Sequence, residues 1–224
     1  MPPVHIVDRY MQTVESLGIK NDSKGLDYFI PPIDEVTVSS LPNSHHNGYI
    51  GFVIGAKHFT KQLPVEKIVS ICKKINQPVI LLGGPDDAER GELIKKAFID
   101  FKIAPNSQLP ASNSQPLTQN SELIYNACGK YNLNQSASII KQATKIISHD
   151  TGLMHIAVAF KKEIISVWGN TVPDFGFTPY LPAEGSKIVE VKDLSCRPCS
   201  KIGYDKCPKG HFKCMMLIDE TQFV

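Results

Sequence analysis

The sequence predicts an α/β fold, a parallel sheet with helices on both faces, on three observations. Short apolar runs of strand length recur from Tyr49 onward: Tyr49–Ile54, Pro78–Leu82, Leu123–Ala127, Ile146–Ser148 and Ile164–Trp168. Between them lie stretches with apolar residues at helical spacing, and strands that pair in parallel need such a helix to return the chain. Turns bearing glycine or aspartate close three of the runs, at Gly55, at Gly83-Gly84 and at Asp150-Thr151-Gly152. Repeated βαβ units of this kind make one Rossmann-like domain over residues 48–224, within ordinary domain size.

Composition narrows the class. A chain of 224 residues with 42% hydrophobic content can bury a core. The formal net charge of +2 gives no general attraction to polyanions, so nucleic acid is not an expected partner. No apolar run approaches the roughly eighteen residues of a membrane span, and Met1-Pro2-Pro3 opens no signal peptide, so a cytoplasmic location is expected. Six cysteines are too few for a disulfide-dense secreted scaffold of this length and are read as reduced thiols.

Val7, Tyr10, Met11, Val14 and Leu17 fall at helical spacing and Gly18 follows as a stop, which predicts an amphipathic helix over residues 4–17. Residues 21–47 are rich in Pro, Ser and Asn around the apolar insert Leu26-Asp27-Tyr28-Phe29-Ile30 and read as an extended connector laid over a surface. Residues 1–47 thus form a helix and connector packed on the domain. The loop Gly55–Lys61 leads to a helix over Pro64–Ile75, with proline in its first turn and Val65, Ile68, Val69, Cys72 and Ile75 on one face. Gly83-Gly84-Pro85 leads to a helix over Asp86–Ile99, whose acidic start suits the helix dipole. Residues 100–121 lack periodicity and are rich in Pro, Ser, Asn and Gln, as expected of a mobile surface insertion. A helix over Asn134–Ala143 follows the strand at Leu123–Ala127.

The stretch Lys145–Asn170 reads as strand, turn, buried helix (Leu153–Phe160) and strand, and its first turn holds the chemistry. Thr151 is a good N-cap and Gly152 lets backbone approach a ligand, so the first N–H groups of the helix can meet an anion such as a phosphate. Thr151 and His155 are four residues apart and share a helix face, with Met154 adjacent. Asp150, at the carboxyl end of its strand, falls in the usual ligand crevice of an open α/β sheet. The same residues also fit a plainer role, in which Asp150 and Thr151 cap a core helix and His155 is a hydrogen-bonded core histidine. Convergence of Gly55–Lys61, Gly83–Pro85 and Asp150–His155 is what a nucleotide site requires, although Gly83-Gly84 alone could be only a tight turn.

The tail over residues 192–224 carries Cys196, Cys199, Cys207 and Cys214, with His211 nearby. Cys-x2-Cys plus two more thiols could hold a structural zinc ion, or the four could be buried or oxidisable thiols. Six cationic side chains, Lys192, Arg197, Lys201, Lys206, Lys209 and Lys213, stand against Asp193 and Asp205. They fit either a solvated surface or a face toward a phosphorylated acceptor or an anionic membrane.

Asp150-Thr151-Gly152-Leu153-Met154-His155-Ile156-Ala157, followed by Val167-Trp168-Gly169-Asn170-Thr171 and Pro173, resembles the donor-binding signature of glycosyltransferase family 9, the ADP-heptose:lipopolysaccharide heptosyltransferases. Gly55-Ala56 and Thr60-Lys61-Gln62-Leu63-Pro64 resemble the family's Gly-Ala and Lys-x-Trp-Pro elements, with Leu63 in place of the tryptophan. Asp86 and Asp87 follow the glycine pair where the family often has glutamate, and similar tail cysteines recur in Cys-Arg-Pro-Cys and Cys-Pro-x-Gly-His-Phe-x-Cys-Met form. The resemblance covers nearly the whole chain but half of the family's GT-B enzyme, and His5–Tyr10 and Leu26–Tyr28 resemble residues between its two domains. It implies a donor-binding C-terminal half of an inverting heptosyltransferase, with Lys61 on donor phosphate and Gly55, Ala56, Thr60, Gly83, Gly84, Asp150, Thr151, Gly152, Met154 and His155 around an ADP-heptose-like nucleotide sugar. The general base and the lipid A–core acceptor site belong to the N-terminal domain, so no catalytic residue is expected in this chain and it is expected to be inactive alone. No cofactor is required, and the location fits the cytoplasm or peripheral contact with the cytoplasmic face of the inner membrane. The alternative is a free-standing, non-catalytic nucleotide-sugar-binding or zinc-stapled interaction module.

Overall fold

The computed structural model describes residues 4–103 and 123–224. Six strands form one sheet: β1 (Ile50–Val53), β2 (Val79–Leu82), β3 (Ile124–Asn126), β4 (Lys145–His149), β5 (Ile164–Trp168) and β6 (Lys187–Glu190). All pairings are parallel, in the order β3-β2-β1-β4-β5-β6. The chain runs outward from β1 to β3, then returns to the centre and runs outward the other way from β4. Between β1 and β4 lies the switch point, where successive connections diverge and leave a crevice outside the carboxyl ends of the strands. The register brings those ends level, since Val53 aligns with both Leu82 and Ser148.

Helices cover both faces. On one, α2 (Val65–Ile75) and α3 (Ala88–Ile103) pack Ile68, Cys72, Ile94 and Phe98 against Phe52, Leu81, Ile147 and Ile165. The short α6 (Lys213–Met216) adds Cys214 and Met215 to that layer. On the other, α4 (Leu133–Gln142) and α5 (Gly152–Ala159) pack Ile139, Ile140, Met154 and Val158 against Val53, Ile80, Ile146 and Trp168. Burial on both faces is why the strands read as unbroken apolar runs.

Several boundaries differ from the sequence reading for local reasons. The first helix, α1, is Ile6–Val14, opened by His5 accepting the Val7 N–H and followed by a 3-10 turn, Glu15–Leu17, that stops at Gly18 with φ +78°. Pro64 caps α2 from outside, and Asn132 with Gln135 makes a reciprocal capping box, so α4 begins one residue earlier than expected. A 3-10 turn, Pro85–Asp87, precedes α3, which runs to Ile103. Residues 100–103, read as part of an insertion, are therefore helical, and the rest of that expectation lies outside the described residues. The sequence reading missed β6, a half-exposed edge strand without a full apolar run.

The connector lies along α4 through side-chain bonds in place of a ladder. Val36 N–H donates to Ser138 Oγ at 2.9 Å, the Tyr28 hydroxyl donates to Asn134 at 2.7 Å, and Asp34 accepts from Asn132 and Asn134. The loop over 173–180 holds α1, with Ile6 N–H donating to Gly176 O at 2.8 Å and the Tyr180 hydroxyl to Asp8 at 2.6 Å.

Candidate functional site

Loops at the carboxyl ends of β1, β2 and β4 border a cleft of about 750 Å³. Gly55, Ala56, Gly83, Gly84 and Thr151 line it, together with Asp86, Arg90, Tyr131, Leu133 and Leu153. Three of the glycines are set by one carboxylate: Asp87 accepts the Gly84 N–H at 2.9 Å, and a Cβ on Gly55 or Gly83 would collide with it. Burial raises the Asp87 pKa, while the Gly84 bond and the Arg90 charge oppose that shift. Asp87 thus closes the turn, and Asp86 is the exposed member of the pair.

At the switch point itself, Lys61 Nζ lies 2.6 Å from Asp150 Oδ2, and Thr171 Oγ1 donates to the same oxygen at 3.1 Å. With side chains 16% and 12% exposed, the pair is a charge-assisted bond that fixes a cation at the crevice rather than a loose surface bridge. His155 stands in the field of both: burial lowers its pKa, Asp150 opposes the shift, and His5 and Lys61 add to it. Its ring is therefore mostly neutral near pH 7 and can both donate and accept a hydrogen bond. Next to this corner, α5 begins without a side-chain cap. Thr151 occupies the N-cap position, yet its hydroxyl makes no capping bond. Gly152 is exposed, and a Cβ there would meet nothing within 4 Å, so no neighbour within the protein demands a glycine. The positive end of an eight-residue helix thus opens beside Lys61.

Two of the residues expected around the donor have side chains engaged within the protein. The Thr60 hydroxyl is engaged by the tail, accepting from Tyr204 N–H at 2.8 Å and donating to Tyr204 O at 3.1 Å, so Thr60 anchors the loop. Met154 is fully buried in the core under α5, because its position on the helix points inward. Cys196, Cys199, Cys207 and Cys214 are free thiols near enough to influence one another, with burial the main cause raising Cys199 and pushing Cys214 up to about 11. Among the described residues no group of three or more His, Cys, Asp or Glu side chains is gathered to hold a metal ion. Leu63, standing where the resembled family pattern has tryptophan, is fully buried and fills the core behind the loop.

Arg90, His149 and Thr171 escaped the sequence reading as site residues. Arg90 and His149 act through backbone groups distant in sequence, which no spacing reveals. Thr171 lay within the quoted motif, and that was the signal available for it.

Fold and crevice together define a doubly wound α/β domain with a ligand cleft at its switch point, the arrangement that suits a nucleotide. The chain belongs to glycosyltransferase family 9 (heptosyltransferase), whose sequence model matches residues 4–207. It is 27% identical over 217 residues to lipopolysaccharide heptosyltransferase 2 of Escherichia coli K12, covering 92% of this chain and 54% of that protein. Among solved structures it is similar to the family 9 glycosyltransferase of Veillonella parvula, with TM-score 0.70, 22% identity and coverage of 98% and 58%. It is also similar to the E. coli heptosyltransferase WaaC with ADP, with TM-score 0.57, 20% identity and coverage of 84% and 51%. The chain spans about half the length of these relatives. Among the described residues no helix is long and apolar enough to cross a membrane.

Proposed function

We propose that this chain is the donor half of an inverting heptosyltransferase of GT-B architecture, binding an ADP-activated heptose for transfer to a lipid A–core acceptor in lipopolysaccharide synthesis. One observation carries the reading: the Lys61–Asp150 pair beside the uncapped start of α5. Attack of an acceptor hydroxyl at the anomeric carbon inverts that carbon and expels a nucleoside diphosphate. Lys61 and the N–H groups at Thr151-Gly152 meet the charge that grows on the leaving group, and groups already in place need no reorganisation at the moment of reaction. Asp150 and His155 orient the diphosphate and the sugar hydroxyls, and no cofactor takes part. The base reaches the acceptor from the other half, because Asp150 is already bound to Lys61 and Thr171 and lies on the donor side.

A thermal-shift series with ADP, UDP and GDP tests the donor site, since a ligand that binds only the folded state stabilises it by mass action. ADP is expected to raise Tm most, and no response to any of the three would remove the reading. In a transfer assay the chain alone is expected to give no product above background, with activity appearing when an acceptor domain is supplied. General-base catalysis, worth roughly 10²–10⁴ in rate, works only within hydrogen-bonding reach of the proton. Robust transfer by the isolated chain would overturn the roles given to Asp150 and His155.

A further inference from the structure

Leu63, two residues after Lys61, has both of its backbone polar groups held by side chains from other elements. Its N–H donates to His149 Nε2 at 3.0 Å, and its carbonyl accepts from Arg90 Nη2. Arg90, on α3, also donates through Nη1 to Ile54 O at 2.7 Å, just past the end of β1. His149 is the last residue of β4 and is fully buried. One peptide segment is therefore fastened to β1, β4 and α3 at once, and it is the segment that carries Lys61.

We propose that His149 and Arg90 are positioning residues that clamp the Leu63 backbone and thereby hold Lys61 against Asp150 at the diphosphate end of the crevice. The proposal rests on the donor-site reading above. Eleven positions separate β1 from α2, and a loop of that length leaves a terminal ammonium mobile unless its backbone is tied. Thr60, bonded to Tyr204, and Gln62, donating to Ala56 O at 2.7 Å, secure the loop's outer part. The clamp secures its inner end, immediately behind the lysine. The imidazole must stay neutral for Nε2 to accept the Leu63 N–H, and burial together with the nearby Arg90 charge keeps it so. A hydrophobic residue at 149 would fill the space and leave the Leu63 N–H buried without an acceptor.

The test is a binding cycle on the full chain with ADP and adenosine as probes, using Lys61→Ala, His149→Leu, His149→Gln and Arg90→Met. Lys61→Ala reports on the site by itself, and its loss is expected for ADP and not for adenosine. If it shows no such selectivity, the donor-site reading falls and the clamp's purpose falls with it. With that selectivity present, His149→Leu is expected to weaken ADP about tenfold, the scale of one charged hydrogen bond, while adenosine is unchanged. His149→Gln, which restores an acceptor, is expected to recover most of the loss. In the Lys61→Ala background, His149→Leu is expected to add no further loss for ADP, because the group it positions is gone. Equal losses for the two ligands, or full additivity with Lys61→Ala, would overturn the proposal and leave His149 a structural residue. Should His149→Leu fail to fold, Arg90→Met loosens the same peptide from the other side and is read by the same cycle.

Discussion

The two borders of the crevice are built in opposite ways. On the β1 side, the loop carrying Lys61 is tied at Ile54, Thr60 and Leu63 by groups from the rest of the fold and braced internally by Gln62 on Ala56. On the β4 side, α5 starts with a threonine that makes no capping bond and a glycine with open space where a Cβ would be. The first border presents a charge whose position is set in advance. The second presents backbone donors that the protein leaves for another molecule, and helix ends without caps are costly unless something else satisfies them. An anion bound between them would gain from a fixed cation on one side and from unspent N–H groups on the other.

Lys61→Ala makes the largest break in this comparison. Removal of a charged hydrogen bond to phosphate is expected to cost about 1.5–3 kcal/mol of ADP affinity, read by calorimetry against adenosine as the control. A comparable loss for both ligands would mean that the tied border does not face the diphosphate.

pH tests the same border through His149, whose pKa is pushed down to about 3 from its ordinary 6.5, chiefly by burial and then by Arg90. Between those values the unfolded chain binds a proton that the folded chain does not, so stability rises with pH across the window and is lost as pH falls below about 6.5. The loss approaches about 1.4 kcal/mol per pH unit, or about 2 kcal/mol at pH 5. His155, also lowered by burial, contributes in the same direction. Urea midpoints at pH 7 and pH 5 are expected to show the drop, and His149→Gln is expected to flatten most of it. A slope unchanged by that substitution would assign the pH sensitivity elsewhere.

Gly152→Ala gives the smallest effect and sharpens the contrast, because stability and affinity are expected to move apart. Alanine is favoured over glycine inside helices by about 0.5–1 kcal/mol, a gain that is smaller at the first position, and nothing lies within 4 Å to oppose the methyl, so Tm should hold or rise. ADP affinity should fall because the methyl enters the space an anion would use. Lower Tm with unchanged affinity would show that the glycine serves the fold.

Periodicity located most of the regular elements to within a few residues, because each strand is buried on both faces and most of the helices pack one apolar face on the sheet. It missed β6, where half of the strand is exposed and the apolar signal is weak. Asp150 and Thr151 were legible as candidates from their places at a strand end, and Lys61 from the family resemblance. Helical spacing put Met154 beside His155 but could not tell which of the two points into the core, and the resemblance that named Thr60 carried no sign of the Tyr204 backbone on its hydroxyl.

By itself the sequence determined the alternation of strands and helices, the loops at the carboxyl ends and the residue types available there. Only the tertiary structure decided that β4 lies beside β1 and not beside β3, which brings Lys61 to Asp150 across 89 positions. It also decided that His149 and Arg90 meet on the backbone of one residue, Leu63, a contact that neither helix nor strand periodicity encodes. The physical reason is that local spacing fixes which side chains share a face. Which strands become neighbours depends on burying both faces of the whole sheet at once, and that is settled by packing among segments far apart in the chain.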